Sequence, residues 1–257
     1  MKIDMNCDMG ESFGAYTIGR DAEVMPHITS ANVACGFHAG DPMVMEKTVA
    51  LAKQHGVAIG AHPGYPDLMG YGRRNLSCSP EEITAYVTYQ VGALTAFAAA
   101  NGLKLQHVKP HGALYNMAQP DEKMMAAICK AVASIDPSLI LVALAGKWAE
   151  RNREIAERHG LRIAFEAFPD RAYTPEGTLQ SRKEPGAVVR EADTVARRAL
   201  KMAKEGKVIA VDGTELAIAP DTLCVHGDTP GAVSLVRQIR QTLTENGIEV
   251  IAMGTFL

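Results

Sequence analysis

Residues 105–116 read LQHVKPHGALYN, with His107, Lys109 and His111 at every second position and Val108 and Pro110 between them. Period two belongs to an extended strand, whose side chains point alternately to opposite faces. The titratable groups therefore share one face, and the other is left to apolar packing. Six further runs carry the same test: residues 2–8, 28–36, 56–62, 139–144, 161–168 and 222–228. Asp4, Asn6 and Asp8 alternate with Ile3, Met5 and Cys7, and Ser30 and Asn32 alternate with Ala31, Val33 and Cys35. Ala58, Gly60 and His62 share a face, as do Arg162, Ala164 and Glu166, and as do Thr222, Cys224, His226 and Asp228.

Most runs thus have one apolar face suited to covering helices and one small or polar face that grows more ionisable towards its C-terminal end. Longer Ala-rich amphipathic segments lie between them. Asp41-Pro42 offers an N-cap followed by proline at the first helical position, and Ser79 with Glu82 forms a capping box. Gly102 and Gly160 stand where helices should stop. VDGTE at 211–215 predicts a small hairpin before the last strand. Strands alternating with helices indicate a parallel α/β architecture. An open doubly wound sheet, covered on both faces, would have more uniformly apolar strands, as LILVAL at 139–144 is. The preferred reading is a (β/α) barrel of about seven parallel strands, one domain over 1–257, with its chemistry at the C-terminal ends of the strands.

Composition narrows the function. A chain of 257 residues, 47% hydrophobic, with a formal net charge of -3, can bury a full core and shows no basic footprint for nucleic acid or an anionic membrane. No apolar stretch is read as reaching the roughly 18 residues a membrane span needs, and MKIDMNCDMGES has carboxylates where a signal peptide needs an apolar core, so a cytoplasmic location is expected. The five cysteines lack a CxxC pair and read as reduced thiols; Cys7 and Cys35 fall on apolar faces, which favours packing over nucleophilic chemistry.

The candidate site is the set of polar groups at the strand ends. Lys109 on an inward face needs an anionic partner or must lose its proton, and Asp8 and Glu166 are the carboxylates able to pair with it. His62 ends a strand of very small residues, which lets something bulky approach. His38 follows a Gly-rich strand end; Asp41 is read as a plain cap, and His107, deeper in its strand, as a hydrogen-bonded support. Arg171, close after Glu166, is suited to a bidentate grip on a substrate carboxylate. Carboxylates, imidazoles and a lysine together suit general acid–base chemistry on a small polar molecule. His and Asp from different strands can also bind a divalent cation, although HExxH is absent and a nearby lysine opposes one. GxxxxGK[ST] and a GxGxxG after a strand are absent too, so no familiar phosphate cradle is present.

DMNCDMGESFG, SANVACGFHAGDP, VAIGAHPGYPD, GYGRRNL, HVKPHGALYN, FEAFPDRAY and CVHGDTPGAV, in that order, resemble the LamB/YcsF family across nearly the whole chain. The resemblance implies a distorted (β/α) barrel related to the glycoside hydrolase/deacetylase class. It implies cleavage of 5-oxo-L-proline to L-glutamate coupled to hydrolysis of ATP to ADP and phosphate, with this chain as the A component of the enzyme and 5-oxoprolinase subunits B and C as partners. Carried over block by block, it places catalytic groups at Asp8, His62, Lys109, His111, Glu166 and His226, and substrate-binding groups at Asn6, Glu11, Asn32, His38, Arg171 and Asp228. ATP is the implied cofactor, held here or with the partner subunits; a divalent metal stays open. The alternatives are a stand-alone metal-dependent deacetylase or amidohydrolase and a non-catalytic lactam-binding subunit.

Overall fold

The computed structural model describes residues 1–225 and 231–257. Strands β1 (Lys2–Met9), β2 (Ser30–Ala34), β3 (Ala58–His62), β4 (Leu105–Val108), β5 (Ile140–Leu144) and β6 (Arg162–Ala167) pair in that order, all parallel. After β6 the antiparallel hairpin β7 (Lys207–Ile209) and β8 (Glu215–Ala217) stands outside the barrel, as the VDGTE turn predicts. β9 (Thr222–Cys224) then pairs with both β6 and β1 and closes the ring at seven strands. A short β10 (Glu249–Val250) adds to the start of β1 and carries no counterpart in the expected set.

The helices are α1 (Asp21–Val24), α2 (Pro42–His55), α3 (Pro80–Ala100), α4 (Gly112–Ala118), α5 (Glu122–Ile135), α6 (Ala149–Arg158), α7 (Ala192–Glu205) and α8 (Ala232–Glu245). Asp41 caps α2 by accepting from the N–H groups of Met43 and Val44, and Ser79 and Glu82 form the capping box of α3. Ile3, Met5, Val33, Ile59, Val108, Leu141, Phe165 and Leu223 point outwards into the layer under the helices and are all buried. Fully burying each such large side chain contributes about 1.5–3 kcal/mol. Cys7 and Cys35 lie in this layer, where burial pushes both thiols up, that of Cys35 to about 12.

One sequence expectation fails on α3. Pro80–Ala100 does contain an apolar window of 18 residues, long enough to cross a bilayer by composition alone. It packs instead against α5 and the barrel through Ile83, Val87, Val91, Leu94 and Ala98, with its other faces outward. The alanines that make it apolar make it a good helix without making it a wide buried stripe.

The barrel interior is polar from the second layer upwards. Its lower end is closed by Ile140, Val142 and Ala164 packed on Met253 from the C-terminal segment. Arg162, expected on the inner face with Ala164 and Glu166, is exposed at that lower rim, where it donates to the carbonyls of Leu257 and Ser138. Above the plug, Asp4 accepts from Ser30, Thr29 and Thr222 hydroxyls and from the Met253 N–H. Burial outweighs these donors and raises its pKa to about 6. The folded state thus binds the Asp4 proton more tightly than the unfolded chain, so this stability is complete below pH 4 and is lost as pH rises through about 6. A shift of about two units corresponds to about 3 kcal/mol. Asp4→Asn is expected to lack that slope, so urea midpoints at pH 4 and pH 7.5 should converge for the variant and diverge for the wild type.

Candidate active site at the barrel mouth

Lys109, one residue beyond β4, sends its ammonium across the barrel. Nζ lies 3.0 Å from Asp8 Oδ1 and 2.9 Å from Glu166 Oε1, with Asn6 Oδ1 at 3.2 Å and Cys224 Sγ at 3.0 Å. Burial works against its charge, but Asp8 and the other acidic neighbours outweigh it and the pKa stays well above the ordinary lysine value. The ammonium is therefore a fixed cation under the mouth. Asn6 donates to Glu166 Oε1 at 2.8 Å and to Thr222 at 2.7 Å, and Asn32 donates to Asn6 at 2.7 Å and to Asp8 at 2.9 Å. These two amides orient both carboxylates. His107 has the support role expected of it: Nε2 is 2.7 Å from Asn32 Oδ1, and burial lowers its pKa to about 3. Its Nδ1 accepts from Gln106, an extra residue that a bulge opposite Ile59 and Gly60 inserts into β4.

Beside this pole, the ends of β1 to β4 bring Glu11, His38, His62 and His111 together, with one ligand-type atom of each within 4.8 Å of all the others. All four residues are buried. His62 Nδ1 is 2.7 Å from the Lys109 carbonyl, His62 Nε2 is 3.3 Å from Asp8 Oδ2, and His111 Nδ1 is 2.9 Å from His62 Nε2. His38 stacks on His111 with ring centroids 3.6 Å apart and planes at 6°, and its Nε2 is 3.3 Å from Glu11 Oε1. Tyr71 donates its hydroxyl to Glu11 Oε2. Burial first, and then the neighbouring histidines, pushes His38 and His111 well below the usual histidine range. Both rings therefore favour the neutral form.

A cleft of about 690 Å³ opens above these groups. Asp8, His62, Lys109 and His111 line its floor; Arg73, Arg171, Arg182 and Lys183 line its walls. Arg171 Nε donates to the Ala187 carbonyl at 3.2 Å and Nη2 to the Gln180 carbonyl at 2.6 Å. Burial, together with the nearby Arg182 charge, lowers it to about 10. The guanidinium is thus set in the wall by backbone acceptors. His226 and Asp228 lie outside the described residues.

The profile of the LamB/YcsF family matches residues 3–257. The chain belongs to the LamB/YcsF family. Among similar curated proteins, the 5-oxoprolinase A subunit of Syntrophobacter fumaroxidans is 57% identical over 254 residues, covering 99% of each chain. The protein of the same name from Thermococcus onnurineus is 53% identical over 257 residues, covering 100% of each. The crystal structure of a lactam utilization protein from Thermus thermophilus superposes with a TM-score of 0.91 at 51% identity, covering 98% of this chain and 100% of that one.

Tyr115 is a residue of this LamB/YcsF site that strand alternation does not find. It sits on α4 one turn after His111, lines the cleft, and is buried beside Glu166. Burial, then the Glu166 charge, pushes its phenol well up. The Tyr115 hydroxyl lies beside the Glu166 carboxylate, whose side chain adds to that rise. Its i, i+4 spacing from His111 across a strand-to-helix junction is the available signal, and it requires knowing that the helix begins at Gly112.

Proposed function

We propose that this chain is the ring-opening A component of an ATP-coupled 5-oxoprolinase that converts 5-oxo-L-proline to L-glutamate. The observation that carries this reading is the Asp8–Lys109 pair at the floor of a cation-walled cleft, backed by the buried Glu166 carboxylate, in a chain similar from end to end to proteins named for that lactam. A five-membered lactam is an unactivated amide, so coupling to ATP supplies the drive. Phosphorylation of the lactam oxygen makes the ring carbon electrophilic. Water adds there, the ring nitrogen leaves as the amine, and a second water releases phosphate from the resulting acyl phosphate.

Asp8 is suited to take the proton of the attacking water. It reaches the cleft, and its position is held by Lys109 and Asn32. Lys109 already has four close partners, so it acts on the developing oxyanion or phosphate through its charge. The Tyr115 hydroxyl, which lines the cleft beside the buried Glu166 carboxylate, is suited to meet the lactam carbonyl. Arg171 holds the substrate carboxylate, and Arg73, Arg182 and Lys183 favour a phosphorylated ligand. Because the sequence carries no familiar nucleotide cradle, ATP is assigned to partner subunits B and C, and ring opening to this one.

The reading is tested by measuring glutamate and phosphate released from 5-oxoproline and ATP with this chain, with the partner subunits, and with both. Glutamate is expected only from the full set; none from any combination defeats the proposal. Glutamate from this chain alone with a divalent cation and no ATP would instead favour a stand-alone metal-dependent amidohydrolase, the reading to which the Glu11–histidine cluster lends support. Arg171→Lys keeps the charge but loses the planar fork, so KM for 5-oxoproline should rise about tenfold or more with kcat little changed.

A further inference from the structure

We propose that Glu11, His62 and His111 bind one divalent cation of the zinc class, and that His38 and Tyr71 fix Glu11 rather than bind the cation themselves. The positions open to hydrogens decide this. A carbonyl only accepts, so the bond from His62 Nδ1 to the Lys109 carbonyl and that from His111 Nε2 to the Tyr71 carbonyl at 2.9 Å place the ring protons there. The other nitrogens, His62 Nε2 and His111 Nδ1, then face each other at 2.9 Å as two lone pairs. Glu11 Oε1 stands 3.5 Å from the second and Asp8 Oδ2 3.3 Å from the first. The two imidazole lone pairs face each other with no proton between them, and the Glu11 carboxylate stands beside them. A cation satisfies all of them together, whereas a single proton can bridge only one pair.

The separations also fit. Donors at about 2.0–2.1 Å from a tetrahedral zinc ion lie about 3.3 Å from one another; here His62 and His111 are 2.9 Å apart, His111 and Glu11 3.5 Å, and all three atoms lie within 4.8 Å of one another. Each assigned imidazole donates its outer N–H to a backbone carbonyl, the arrangement that fixes tautomer and ring orientation in ligating histidines. His38 differs on both counts. Its ring is parallel to that of His111 at 3.6 Å, so a cation in the plane of one lies out of the plane of the other. Its Nδ1 also has no partner among the described residues to fix it, while Nε2 is placed to donate to Glu11. Tyr71 adds an independent sign: it has φ 54, a strained left-handed conformation for a large residue, and this turn sets its carbonyl on His111. Lys109 does not oppose the cation directly, because Asp8 stands between them with Oδ1 on Lys109 and Oδ2 on His62.

The proposal does not rest on the lactam reading, and its test does not use turnover. The purified chain is stripped with a chelator and dialysed against Zn²⁺ or Co²⁺, and its metal content, Co²⁺ absorption spectrum and Tm are measured. About one cation per chain is expected at micromolar free metal, with a rise in Tm. His111→Ala and the isosteric Glu11→Gln should weaken binding about 100-fold or more, whereas His38→Asn should cost about tenfold and keep the stoichiometry. Circular dichroism identifies variants that have not folded, and Glu11→Gln decides if His111→Ala is one of them. A wild-type chain that retains no metal overturns the proposal, as does Glu11→Gln binding with unchanged affinity and Co²⁺ spectrum. His38→Asn losing the cation as completely as Glu11→Gln overturns the assignment of roles.

Discussion

Lys109→Met is expected to cost about 3–5 kcal/mol of stability at neutral pH, because it removes one partner of a buried ion pair and leaves the others uncompensated. Asp8 Oδ1 and Glu166 Oε1 both lean on the one ammonium, and Glu166 is fully buried. Without it, the remaining donors to these carboxylates include the neutral amides of Asn32 and Asn6. Removing the cation leaves buried negative charge unpaired, so the deficit should shrink as pH falls and that charge is neutralised. Urea melts of wild type and variant at pH 7.5 and pH 5 measure this directly. Glutamate release in the assembled system should fall by about 10³ or more, since the fixed charge at the reacting oxygen is lost. Lys109→Arg should restore little, because the socket formed by Asn6 and Cys224 suits a compact ammonium rather than a planar fork. Equal deficits at the two pH values would show that the carboxylates do not depend on Lys109.

Gly60→Ala is the second large effect. A Cβ at Gly60 would overlap three atoms of the His107 ring, far inside van der Waals contact. That ring cannot swing away cheaply, being held by Asn32 at 2.7 Å and Gln106 at 3.2 Å. Overpacking of this kind costs about 1–3 kcal/mol or more, and this clash belongs at the upper end. In a cycle with His107→Ala, the double variant should be less destabilised than the two single changes added together, because the second change removes the ring the first one strikes. Additive losses, read from denaturant midpoints, would mean that Gly60 matters for some reason other than the His107 ring.

Alternation at His107, Lys109 and His111 reveals the inner face because strand geometry is local, and the caps at Asp41 and Ser79 are legible for the same reason. What is not legible depends on contacts between distant segments. Met253 plugs the barrel from the far end of the chain, and nothing near it in sequence announces that. Glu11, His38, His62 and His111 follow four different strands, so no single motif carries their spacing; only closure of the barrel brings them together. Sequence places Arg171 near the site but not what fixes it: the long segment after β6 returns to offer it the Gln180 and Ala187 carbonyls. The helix α3 satisfies a composition test for a membrane span because alanine is weakly apolar and strongly helical at once.

The central claim, that ring opening takes place on this chain, is most directly tested by following ADP and glutamate together in the assembled three-subunit system carrying Asp8→Asn here. Asparagine keeps the shape of the side chain but cannot accept a proton from water. Glutamate formation should fall at least about 100-fold while lactam-dependent ADP formation continues, uncoupled from product. Glutamate and ADP released together at the wild-type rate would contradict the claim, since the water would then be activated somewhere other than Asp8.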